Sequence, residues 1–217
     1  MVMKAALSLV SFVLFSAVLP AQPASAALVS TGVGVVRGQQ VLTSREVQIL
    51  QLLDTALYAQ SKNLQLLTLD SKAFSQAVQN SLLECVVSLE AENFNVVKIT
   101  AEEKEAAGKK ALKVLKPTRV WKDLQVSEAE FARSLNRKLQ AKKFIQFRSQ
   151  SSVLPVTDAD AQKYFAENRL KFGNLPFENF KENIKSYLSR AQVEQRLKDW
   201  YSLLLNKYQA KNLLAEI

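Results

Sequence analysis

The sequence predicts a mainly helical, all-α fold, opened by a short N-terminal β-hairpin and ended by one long C-terminal helix, and three observations carry that expectation. Gly and Pro number only five each among 217 residues, too few for the turns that a sandwich, a barrel or a Gly-rich nucleotide loop consumes. Helix-capping signals recur just ahead of apolar stripes at helical spacing. One stretch, Val33 to Leu42, has apolar residues on both sides of Arg37-Gly38-Gln39, with Gly38 suited to a positive φ in a tight turn.

The helices follow in order from their caps. Thr43-Ser44-Arg45-Glu46, Thr100-Ala101-Glu102-Glu103 and Ser127-Glu128-Ala129-Glu130 read as capping boxes, in which the hydroxyl accepts from an orphan amide and the Glu reaches back. Thr157-Asp158-Ala159-Asp160 is a shorter-armed version, and Asp70-Ser71-Lys72 has the cap without the box. These starts predict helices over 44–66, 71–92, 101–115, 127–148, 158–169 and 177–208. The first carries the stripe Val47, Leu50, Leu53 or Asp54, and Leu57, and the second Phe74, Val78, Leu82, Cys85, Leu89. A last helix of about 30 residues would run roughly 45 Å, so it projects, bridges two lobes or pairs with a second copy of the chain.

Composition closes several chemistries. The chain has no His and one Cys, which removes Ser-His-Asp and Cys-His nucleophiles, a His general base, a His-containing zinc site and an intramolecular disulfide. No catalytic residue, metal-ligand set or cofactor site emerges, and the expectation is a binding protein and not an enzyme. Asp158 and Asp160 have a structural purpose at a helix start, where carboxylates complement the dipole.

The N-terminal segment governs how the formal charge of +9 is read. Lys4, the apolar run from Ala5 to Leu19, Pro20 and Ala24-Ser25-Ala26 follow the order of a cleavable signal peptide. The run is shorter than the ~20 residues that span a bilayer. Residues 1–26 are therefore expected to be removed after Ala26, leaving an exported chain over 27–217 without stable membrane insertion. Loss of Lys4 lowers the formal charge by one unit. An exported chain rarely meets nucleic acid, so acidic polypeptides, anionic lipid surfaces and cell-wall polymers remain as partners.

Three segments carry a resemblance. Gly34 to Glu46 joins a valine-rich strand, a turn and a second strand directly to a capped helix. Val126-Ser127-Glu128-Ala129-Glu130-Phe131 opens an amphipathic basic helix running through Phe147, and Val156 to Asn168 is followed by Lys171-Phe172. This order resembles the SurA-type periplasmic chaperones, over nearly all of the mature chain. In that family the third segment leads into a parvulin prolyl isomerase domain; here Phe172 is followed almost at once by Pro176-Phe177-Glu178-Asn179-Phe180, similar to the segment beyond the isomerase. The resemblance implies a helical chaperone cradle without isomerase activity. It implies an ATP-independent periplasmic holdase whose partners are non-native outer-membrane or secreted polypeptides. The alternative is an envelope structural or adaptor protein that uses the same apolar patches for one fixed partner, or for homodimerisation through the long C-terminal helix. The region from Asn95 to Lys122 fits the family least well.

Candidate client contacts fall on and near the basic helix. Arg137, Lys142 and Lys143, with Arg133, Lys138 and Arg148, read as a solvated face or a basic wall, part of it explained by the helix dipole. Phe144, Ile145 and Phe147 lie within four positions and cannot share one core stripe, so at least one is expected at the surface or against another segment. Trp121 and Phe172 lie near predicted breaks and join the candidate set, whereas Trp200 and Tyr201 read as core. Cys85, between Leu82 and Leu89, reads as buried filler.

Overall fold

The computed structural model describes residues 30–37, 40–59, 64–151 and 154–216. The signal segment with its cleavage site at Ala26, and Gly38 of the hairpin turn, lie outside the described residues.

The predicted fold class holds: a small antiparallel sheet accompanies seven α-helices among the described residues. Strands β1 (Gly32–Val36) and β2 (Gln40–Thr43) form the hairpin with Val35 opposite Val41 and Val36 opposite Gln40. Arg37 enters the turn at φ 55. A third strand, β3 (Lys211–Asn212), pairs with the other side of β1 and gives the order β2-β1-β3. The sheet lies on the second helix, close enough that a Cβ on Gly34 would come within 2.8 Å of Leu82 Cδ2.

Thr43 ends the sheet and caps α1 (Ser44–Tyr58) by accepting from the Glu46 amide. The helix stops well before residue 66 because Ala59 turns extended, and the chain returns to be pinned by the buried Gln48. Gln48 Oε1 accepts from the Leu67 amide at 3.0 Å, and its Nε2 donates to the Leu67 carbonyl at 2.6 Å. Ser71 caps α2 (Lys72–Phe94), which ends at Asn95 in the left-handed region. Thr100 caps α3 (Ala101–Leu115) with a complete box. The sequence reading missed α4 (Arg119–Leu124), a short helix that Thr118 caps just after Pro117 by accepting from the Trp121 amide. Helix α5 (Glu128–Ser151) runs three residues beyond its expected end, and α6 (Asp158–Glu167) starts at a complete Thr157–Asp160 box. A 3-10 turn over Phe177–Asn179 precedes α7 (Lys181–Lys207).

Helix α1 is apolar on two sides because it separates two cores. On one side Val47 and Leu50 join Val33, Val36 and Leu42 of the sheet, Phe74, Val78 and Leu82 of α2, Phe144 of α5, and Leu204 and Tyr208 at the C-terminal end. On the other, Ile49, Leu53 and Leu57 pack with Ala111 and Leu115 of α3, Trp121 and Leu124 of α4, and Leu135 of α5. Cys85 is buried in the first core, as its place on the stripe predicts.

Capping carboxylates also tie the helices to one another. Glu130 accepts from the Ser127 amide at 2.9 Å and meets Arg45 Nε of α1 at 2.8 Å. Glu103 caps α3 and binds Lys143 of α5. Glu46 turns away from its own cap to pair with Arg137 of α5, so its box is half made. The Arg45 hydrogen bond, followed by the Ser127 amide, lowers the Glu130 pKa from 4.5 to about 2. A carboxyl whose pKa is depressed on folding contributes stability above its unfolded value and loses it as pH falls through the folded one. The urea midpoint of Glu130→Gln is therefore expected to lie below wild type at neutral pH, with the two converging between about pH 4.5 and about pH 2. A pH-independent offset would contradict this assignment.

Helix α7, 27 residues and about 40 Å long, bridges two parts of its own chain. Its C-terminal end packs on α2 and α5, and its N-terminal end on α6. There Asp158 pairs with Lys181 and Lys185. Beside them, rings of Tyr164, Phe165, Phe172, Phe177, Phe180 and Tyr187 form an aromatic arm with closest centroids 4.9 Å apart.

Candidate functional site

Because α1 stops at Tyr58 while α2 and α5 continue, a trough remains open around its C-terminal end. Leu83 and Asn80 of α2, Tyr58 of α1, and Ala141, Ile145 and Gln146 of α5 enclose a groove of about 540 Å³. Across α5, Leu57, Ile99, Ala106, Ala107 and Leu139 line a second groove of about 460 Å³ against α3. Tyr58, Lys142 and Gln146 border both. Tyr58 is 41% exposed, and Lys142 Nζ stands 3.7 Å from its ring centre, a cation–π ridge between the two halves. At the second groove Lys110 Nζ donates to the Leu57 carbonyl at 2.6 Å and so caps the end of α1.

One edge of the first groove is built on a buried charge cluster. Lys138 Nζ donates to Glu84 Oε2 at 2.7 Å and to Asp54 Oδ1 at 3.2 Å, joining α5 to α2 and α1. Burial pushes the Glu84 carboxyl above its ordinary value, against the pull of Lys138. Burial works to lower the Lys138 ammonium, but Glu84 and Asp54 outweigh it and hold it above its usual value. Glu84 Oε1 is buried without a hydrogen-bond partner, which makes this cluster costly to disturb.

Of the candidate contacts, the structure brings Lys142 and Ile145 into the trough, with Lys143 on the wall of its α3 side. Several others are corrected. Trp121 is 8% exposed and packs edge-to-face on Phe131 in the second core, because α4 turns it inward. Phe144 is 1% exposed and belongs to the first core. Arg137 is committed to Glu46, and Lys143 to Glu103 and the Lys98 carbonyl, so α5 presents no continuous basic wall. Phe147 is the member of its cluster that reaches the surface, 42% exposed and stacked on Phe144. Phe172 is half-buried in the arm, against Tyr164, Phe165 and Phe180, apart from the trough-lining set. Trp200 and Tyr201 pack on the first core as partly buried residues.

Sequence reasoning missed Tyr58, Leu83 and Phe94. Tyr58 and Leu83 each sit next to a stripe residue, and an apolar side chain one position off a stripe is the signal that marks them; Phe94 lies five positions beyond the last stripe residue, Leu89. Phe94 is 58% exposed at the end of α2 and lies 6.1 Å from Phe144, ring centre to ring centre. With Phe147 it forms a second apolar patch around the C-terminal ends of α2 and α5. Further exposed cations lie elsewhere than expected, on α3, α4 and the turn between them: Lys110, Lys113, Lys116 and Lys122, beside Lys109 and Arg119, which pair with Glu105 and Asp123.

Among the described residues no group of three or more Cys, Asp or Glu side chains is placed to hold a metal ion, and no helix is long and apolar enough to cross a membrane. Compared with known protein families, curated proteins and solved structures, the chain matches none.

Proposed function

We propose that the chain is an ATP-independent holdase of the SurA type, exported to the periplasm, that shields apolar segments of non-native outer-membrane or secreted proteins and carries no isomerase activity. The observation that supports this reading is the trough around the end of α1: two apolar grooves, open to solvent and bordered by charge, walled by long helices that the Lys138–Glu84–Asp54 cluster ties together. Apolar surface rimmed by polar groups suits weak, adaptable contacts with many sequences. Release needs no nucleotide, since a client that folds withdraws its own apolar segments.

The test is light scattering of a chemically unfolded client diluted at low salt with equimolar protein. Wild type is expected to suppress aggregation without ATP. Ile145→Ser is expected to lose most of that suppression, and a thermal melt close to wild type assigns the loss to the groove. Absence of suppression by the wild-type protein overturns the proposal, and light scattering of the protein alone with a pull-down then distinguishes a homodimer from an adaptor with one stoichiometric partner.

A further inference from the structure

We infer that the α3 side of the trough is a docking site for an acidic amphipathic polypeptide segment, with its apolar side chains in the groove and its carboxylates on the rim cations Lys110 and Lys142 and on Lys113 one turn further along α3. This deepens the holdase reading and rests on it only in taking the occupant to be a polypeptide.

Two independent features meet here. The groove is apolar along its base, where Leu57, Ala107 and Leu139 converge from three helices. Lys110 and Lys142 stand on its wall, and Lys113 and Lys116 continue the same sign along the exposed end of α3. The acids of α3 sit in its first half: Glu103 is held by Lys143 and Glu105 by Lys109.

The helix dipole accounts for Lys113 in the last turn of α3. At the groove itself Lys110, Lys142 and Lys143 outnumber Glu103, so its lining is net positive.

The other half of the trough lacks this character, since Asp54 and Glu84 there balance Lys138 and Lys142. A lipid surface fits the ridge less well than a peptide does. No large apolar side chain of α3 or α4 is exposed for insertion among the described residues, and the apolar surface is recessed in a groove where a side chain can enter and a flat membrane cannot. Charge on the rim speeds capture of acidic segments and loses strength with salt.

Fluorescence anisotropy with three labelled synthetic peptides tests the site: one alternating Leu with Glu, one alternating Leu with Lys, and one alternating Ser with Glu. The Leu-Glu peptide is expected to bind at least about ten-fold more tightly than either of the others, with affinity falling as salt rises. The double reversal Lys113→Glu/Lys116→Glu, at two exposed positions, is expected to weaken it by about ten-fold, whereas Lys163→Glu on α6 leaves it unchanged. Equal binding of the Leu-Lys peptide overturns the charge assignment, and equal binding of the Ser-Glu peptide overturns the groove. Sedimentation with anionic phosphatidylglycerol vesicles that the double reversal abolishes, without peptide binding, replaces the peptide site with a membrane face. Client protection without acidic preference sinks this site and leaves the holdase standing; tight Leu-Glu binding without client protection does the reverse.

Discussion

Lys138→Met is expected to destabilise the protein by about 3–5 kcal/mol at neutral pH, the cost of leaving a buried charge without its partner. Lys138 is the ammonium between Glu84 and Asp54, and its loss strands Glu84, whose second carboxylate oxygen already has no hydrogen-bond partner. Methionine keeps most of the stem, so lost packing contributes little. The pH dependence identifies the cause. Burial raises the folded Glu84 pKa above its unfolded value, and a group of that kind favours folding below the unfolded pKa and loses the benefit as pH rises through the folded one. The deficit of Lys138→Met should therefore shrink as pH falls into the carboxylate range, and adding Glu84→Gln should recover much of it at neutral pH. Urea denaturation across pH measures both; a neutral-pH loss below about 1 kcal/mol places the pair in the weak class of exposed ion pairs.

Phe144→Ala is expected to cost about 3–5 kcal/mol, the range for deleting a buried aromatic ring and leaving a cavity. The ring is almost fully buried and touches Phe94 at 6.1 Å, Phe147 at 6.1 Å and Trp200 at 5.7 Å between centroids, so its removal loosens α2, α5 and α7 together. Phe147→Ala, three residues on, removes a half-exposed ring and should stay near or below about 1 kcal/mol. Denaturant unfolding of the two variants, read beside the client assay, separates scaffold from surface. Similar stability losses in both would place Phe147 in the core and contradict its exposure.

Helix caps and stripes were legible because they are local. A hydroxyl reaches an amide three residues on whatever the rest of the chain does, and Thr43, Ser71, Thr100, Ser127 and Thr157 all cap where the sequence places them. Thr118 has no acid three positions later, so its cap and helix α4 passed as a plain break after Pro117. The end of α1 was not legible, because it depends on Gln48 binding a backbone segment that returns from residue 67. The basic face of α5 failed as a wall for the same kind of reason: Arg137, Lys138 and Lys143 read as surplus charge only until Glu46, Glu84 and Glu103 arrive from three other helices. Of the trough, α5 supplied Lys142 and Ile145 to the reading, while its α1, α2 and α3 walls come together only through tertiary packing.

Strand β3 closes the sheet late in the life of the chain. Val35 pairs with Lys211, and Arg37 N–H donates to the Tyr208 carbonyl, while the Tyr208 ring is buried and its hydroxyl donates to Glu90. The first described strand therefore waits for Lys211 and Asn212, far along the chain, before its second edge is covered. Loop-closure entropy grows only slowly with loop length, so the wait costs modest stability; its main effect is on order, because contacts so distant in sequence slow folding. A chain delivered N-terminus first stays unfinished at β1 and along α2 until its tail arrives. Arrival of this segment thus acts as a clock for the whole structure: a copy cut short before Lys207 lacks strand β3, the Tyr208 ring and the Lys207–Glu90 ion pair together, and is marked by an open second edge of β1.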